Sequence, residues 1–203
     1  SFSYTYQNIK GVSDNVITGN ATVVNENRNA GASFFINNRN RNSYDANGDN
    51  FSELPELKNN SFGANIFFLP TDNQKLEVNF SKMNEFRYGG EIIENAPHFA
   101  LQSEERTHDV YVGNVDYQIN FNNDNSSLIT YFATQYTGRE HYTGIRPEIG
   151  SAEDTHHLAN PPYGTSTTTT FQGGLQLNHK VENFLKGNNV FTIGTEFVQD
   201  DVF

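Results

Sequence analysis

The chain has 203 residues, 24 acidic against 13 basic side chains, a formal net charge of −11 and no cysteine. A pI near 4.8 excludes a binder of nucleic-acid phosphates, which needs a basic surface, and the missing cysteine excludes disulfides, thiol nucleophiles and thiolate metal sites. Mean hydropathy is −0.66 and no apolar run approaches the roughly 18 residues of a membrane helix, yet the chain carries 17 Phe and 10 Tyr.

In chain order the sequence reads as strands with period-two alternation. Phe2, Tyr4 and Tyr6 alternate with Ser1, Ser3, Thr5 and Gln7. Asn25-Glu26-Asn27-Arg28-Asn29 is a compact turn of residues that tolerate positive φ. A long polar stretch follows over 41–59. Within it, residues 45–56 place side-chain oxygens at Asp45, Asn47, Asp49, Glu53 and Glu56, with the Phe51 carbonyl between. That is the ligand spacing of an EF-hand-type calcium loop, in which a tight coil brings alternate oxygens onto one hard cation. Asn50 stands where the usual glycine would, and no helices are expected to flank the loop. A calcium-free Asx-rich loop is the plain alternative.

Thr71-Asp72-Asn73 is the next tight turn. Leu76, Val78 and Phe80 then alternate with Lys75, Glu77, Asn79 and Ser81. A second long stretch covers 87–106. The cleanest strand follows: Tyr111, Val115, Tyr117, Ile119 and Phe121 oppose Asn114, Asp116, Gln118 and Asn120. After the turn Asn122-Asn123-Asp124-Asn125, residues 127–139 read as a strand apolar on both faces. The third long stretch, 140–166, precedes Phe171, Gly173, Leu175, Leu177 and Val181, which oppose Gln172, Gly174, Gln176, Asn178 and Lys180. Gly187-Asn188-Asn189 reads as the last turn, before Phe191, Ile193 and Phe197.

Short turns alternating with long loops, and apolar sets alternating with polar ones, predict an all-β antiparallel up-and-down meander. They predict more narrowly a partial outer-membrane β-barrel domain over 1–203, with no second domain. The odd residues of 111–121 would face lipid and the even ones the lumen. A soluble sandwich is the alternative, but it has little use for Glu77, Asp116 and Lys180 along its strands. About nine strands are readable at roughly 10 residues each. The chain opens and stops in mid-strand, and an odd count does not close a bacterial barrel. Further strands on both sides, and any targeting segment, are expected outside it.

Nucleophile-elbow, P-loop, zincin and dinucleotide-binding motifs are missing, so no enzyme is expected. The six histidines, His98, His108, His141, His156, His157 and His179, invite a metal or haem reading. Solvated loop side chains are the simpler one, and adjacent His156 and His157 on an extended segment would diverge. Arg106, Arg139, His141, Tyr142 and Arg146, with Tyr163, fall in or beside the long loops and are the candidates for contact with a ligand.

Three stretches resemble the barrel of TonB-dependent outer-membrane receptors: Asn38-Arg39-Asn40-Arg41-Asn42-Ser43-Tyr44 running into Asp45-Ala46-Asn47-Gly48-Asp49; Glu85-Phe86-Arg87-Tyr88-Gly89-Gly90 with Pro97-His98, Glu105 and His108; and Gln135-Tyr136-Thr137-Gly138-Arg139-Glu140-His141-Tyr142-Thr143-Gly144. The resemblance implies a barrel of about 22 strands in a bacterial outer membrane, closed by a plug domain. Such a receptor imports a scarce nutrient (siderophore, haem, cobalamin, glycan or peptide) with energy from the TonB system. The plug and the TonB box have no counterpart in these residues. The readings that compete with it are a passive porin-type barrel and a soluble calcium-stabilised β-domain that binds glycan or protein.

Overall fold

The computed structural model describes all 203 residues. Nine strands form one open antiparallel sheet: β1 (Phe2–Ile9), β2 (Val12–Val24), β3 (Ala30–Arg41), β4 (Glu56–Phe68), β5 (Gln74–Gly90), β6 (Gln102–Phe121), β7 (Ser126–Ile145), β8 (Gly164–Phe184) and β9 (Gly187–Val202). Every strand pairs with its neighbours in sequence, so the sheet order is the chain order. A 3-10 turn (Pro97–Phe99) and one helix, α1 (Ala152–Ala159), sit in the connections. No helix is long and apolar enough to cross a membrane.

The ladders hold this sheet together. Of 139 backbone hydrogen bonds, 115 lie within the strands and the helix, while only ten of 203 residues are buried. A sheet with so small a core leaves its apolar side chains without partners, and that makes their arrangement informative.

Residues directly opposite in an antiparallel ladder share a face, so the register sorts every side chain. Phe2, Tyr4 and Tyr6 fall on one face, here called face A, with Leu76, Val78 and Phe80. The same face takes Val115, Tyr117 and Ile119, then Phe171, Leu175 and Leu177, then Ile193 and Phe197. Alternations read strand by strand thus join into one continuous apolar face. Face B collects Asn79, Asn114, Asp116, Gln118, Gln172 and Gln176. The ambiguous strand is resolved as well. Leu128, Phe132 and Tyr136 lie on face A. Tyr131, on face B, spreads its ring over Gly174, where an added Cβ would collide with it. An aromatic shielding a glycine neighbour stabilises a strand pair without a core.

Face A changes character along the strands. The row Ala32, Ile66, Val78, Val115, Phe132, Gly173 and Phe197 is wholly apolar or glycine. The row Asn38, Asn60, Asn84, Asp109, Gly138 and Thr167 is polar. Between them Lys82 reaches over the Tyr111 ring at 5.0 Å, and Tyr111 meets Tyr136 at 6.2 Å. The apolar band also runs diagonally. On β3 it spans Ala32 to Ile36, but on β9 it spans Phe191 to Phe197, and Asp201 already occupies the ladder row of Ile36.

The turns 25–29, 69–73, 122–125 and 185–186 lie at one end. The connections 42–55, 91–101 and 146–163 lie at the other. Two details differ from the sequence reading. The first hairpin, Lys10-Gly11, is a tight turn on the long-loop side, so the short–long alternation is not strict. Both residues take positive φ, 47° and 101°, as a two-residue hairpin requires. The last turn is Leu185-Lys186, not Gly187-Asn188-Asn189. These two hold φ of 51° and 64°, and Asn189 Nδ2 ties the turn by donating to the Phe184 carbonyl at 2.7 Å. The long connections are also shorter than their sequence bounds. β6 and β7 run 20 residues each and β8 runs 21, well past the band.

Candidate functional site

Residues 42–55 fold into a compact loop around Asp45. Its Oδ1 accepts from the Asn47 and Gly48 amides at 3.1 and 2.6 Å, and its Oδ2 from the Asn50 amide at 2.8 Å. Those amides, Gly48 first, hold the Asp45 carboxyl below its usual range. The coil turns through Gly48 and Asn50, both at positive φ, so Asn50 does the work expected of a glycine. Asp45, Asp49 and Glu53 bring one carboxylate oxygen each within 4.8 Å of one another. The remaining members of the expected ligand set are placed differently. Asn47 Oδ1 accepts from the Asp49 amide at 2.9 Å. Phe51 bridges to Glu91. Glu56 starts β4 and pairs with Lys58 at 2.6 Å.

The five expected ligand contacts divide between the faces. Arg106, Arg139 and His141 belong to face B, on β6 and β7 rather than in loops. Tyr142 and Arg146 belong to a small core that the 91–101 and 146–163 connections build over face A. Tyr142 is 1% exposed, with its ring 5.2 Å from that of Tyr163. Arg146 makes a two-pronged pair with Asp154 at 2.6 and 3.0 Å. Arg146 and the Gly150 amide depress the Asp154 carboxyl to about 2. Ser151 caps α1 by accepting from the Asp154 amide at 3.0 Å, the usual way to satisfy a first-turn donor. His98 bonds Tyr163 at 2.9 Å, and burial with the His157 and Arg146 charges lowers its pKa. His156 and His157 lie on α1 rather than on an extended segment. His179 is at the far end, bonded to Ser126. Arg146 and Tyr142 are therefore structural members of the cap.

Face B carries the opposite picture at the same end. The ladders align Arg41, Leu57, Arg87, Arg106 and His141 in one row, and Arg39, Asn59, Glu85, His108 and Arg139 in the next. Arg87 and Arg106 are directly opposed. Each is tethered along its own strand, Arg87 to Glu85 at 2.7 Å and Arg106 to Glu104. Pro55 and Ser52 of the first long connection fold against Gly89 and Gly90. They close a cavity of about 460 Å³ whose wall includes Arg87, Arg106, Glu104, Gln102 and Thr143. Arg39, Arg41, Arg87 and His108 escape a reading by segments, because only the ladder register brings them together with Arg106 and Arg139.

No protein-family model, curated protein or solved structure matches this chain.

Proposed function

We propose that this sheet is a sector of an outer-membrane β-barrel, with face A toward lipid and face B lining the lumen. The diagonal of the apolar band carries the reading. From β3 to β9 the band drifts by about two and a half ladder rows, each roughly 6.8 Å, across six strand spacings of about 4.8 Å. That is a tilt of about 30° between strands and band normal, close to the roughly 35–45° strand tilt of membrane barrels. Lys82, Tyr111 and Tyr136 at the band's upper margin suit the interfacial girdle of such barrels. The polar overhang of β6, β7 and β8 would stand outside the membrane with the three long connections.

In the barrel so read, the chain acts as a receptor that binds a scarce nutrient and imports it with TonB-supplied energy. Segment resemblance supports this, as does the elaborated loop end. The plug and the remaining strands would come from outside this chain. Calcium at Asp45, Asp49 and Glu53 would neutralise the carboxylates and fix the outer loop. Planar-bilayer recording of the full-length protein is the test. Insertion with little conductance fits a plugged receptor, steady open conductance fits a passive porin, and failure to insert removes the barrel.

A further inference from the structure

Five of the chain's seven arginines project from face B in the two neighbouring rows described above, and none of the lysines does. Arg39 is closed by Asp14 at 3.0 and 2.6 Å. Arg87 and Arg106 have their own glutamates, while Arg41 and Arg139 pair with no carboxylate. A local excess of cations is thus set into a chain of net charge −11. The direct opposition of Arg87 and Arg106 is unfavourable by itself, since like charges across a ladder repel. A second observation falls on the same rows. Two buried side-chain atoms in this protein lack a hydrogen-bond partner, His108 Nε2 and His141 Nδ1, although buried polar groups are normally paired.

We propose that this wall is a binding site for a small, multiply charged oxyanion, phosphate or carboxylate groups on a hydroxylated molecule, with Arg87 and Arg106 as its two-pronged clamp. One anion between the opposed guanidiniums removes their repulsion and gives two forked donors their matching acceptors. Planar guanidiniums suit that geometry, and lysine point charges do not. His108 lines a smaller recess with Glu85 beside the same two arginines, and His141 stands opposite Arg106 on the next strand, so both rings border the clamp rather than the cavity itself. Ser52, Gln102 and Thr143 on the cavity wall suit its hydroxyls. The cavity volume is in the range of small-molecule sites, and Ile145 is the one hydrophobic side chain on its wall. The proposal deepens the receptor reading by naming its ligand class and rests on that reading only for the ligand's route inward.

Calorimetric titration of the full-length protein in detergent tests it, with pyrophosphate and tricarballylate as probes and sucrose as the neutral control. Saturable binding of one or both anions is expected, with none for sucrose. Pyrophosphate alone would mark a phosphate ligand, and tricarballylate alone a carboxylate one. Arg87→Gln and Arg106→Gln should each weaken binding by about tenfold or more, the scale of one charge-assisted pair. The Lys variants should restore part of the loss, and Arg28→Gln, in a turn at the far end, should change nothing. Phenylglyoxal labelling of the wild type needs no variant to fold: the bound anion should protect Arg87 and Arg106. No anion binding at millimolar concentration, unchanged binding in the double Gln variant, or protection elsewhere would overturn the site. Anion binding without bilayer insertion would keep the site and remove the barrel.

Discussion

Asp154 shows how much one side chain organises in the cap. It receives Arg146 and the Gly150 amide and stands in the first turn of α1, where a negative charge is favoured. Its carboxyl is held at about 2 against a usual 3.8. A depressed carboxylate stabilises the fold fully above its unfolded value and loses that contribution as pH falls through the folded one. The 146–163 connection should therefore resist proteolysis at pH 5 and open between about pH 4 and pH 2. Asp154→Asn should open it at neutral pH, and resistance kept in that variant would show that the pair is incidental. Asp45 and Asp49 make a different case, because their cluster with Glu53 concentrates like charge in an exposed loop. Calcium that binds the ordered loop stabilises it by mass action. Titration with calcium should give heat in the wild type and none in a combined Asp45→Ala and Asp49→Ala variant. A silent wild type at millimolar calcium leaves a loop held by its own amides.

At the scale of the strand, the two faces should respond to substitution differently. Val115 stands at mid-band, opposite Val78 and Phe132, so Val115→Arg should cost about 2–4 kcal/mol in a bilayer. Its neighbour Asp116 points the other way, and Asp116→Asn should cost far less. Equal losses in urea titrations of the inserted protein would contradict the assignment of faces. Strand existence and face were legible in β5, β6, β8 and β9 because polar and apolar residues alternate cleanly over 75–81, 114–121 and 171–178, and nearly so over 191–197. β7 was not, since Tyr131 serves a glycine on the neighbouring strand, a need invisible within its own segment. The Lys10-Gly11 hairpin was hidden because lysine at positive φ is no turn signal. The arginine wall was hidden for a deeper reason. A one-residue slip in register would send Arg106 to the other face, so its meeting with Arg87 exists only once the ladder is fixed.

For the whole molecule, the diagonal band makes a prediction that ladder geometry alone does not. Ala32 and Phe197 share a ladder row, whereas Ile36 belongs to the row of Asp201. In a sheet lying upright in the membrane, Ala32 and Phe197 would sit at one depth. With strands tilted by about 30°, six strand spacings displace them by about two rows, so Ile36 and Phe197 become level and Ala32 lies about 10 Å deeper toward the turn end. The chain has no tryptophan of its own, so single Trp substitutions in it are read as the signal added over the unsubstituted full-length protein. Ala32→Trp, Ile36→Trp and Phe197→Trp in full-length protein, quenched by lipids brominated at defined depths, give the three positions directly. Tyr131→Trp on face B should escape quenching altogether. Level Ile36 and Phe197 with a lower Ala32 would establish the tilt and the lipid-facing side together. A level Ala32 and Phe197 would remove the tilt, and quenching of Tyr131→Trp would reverse the faces.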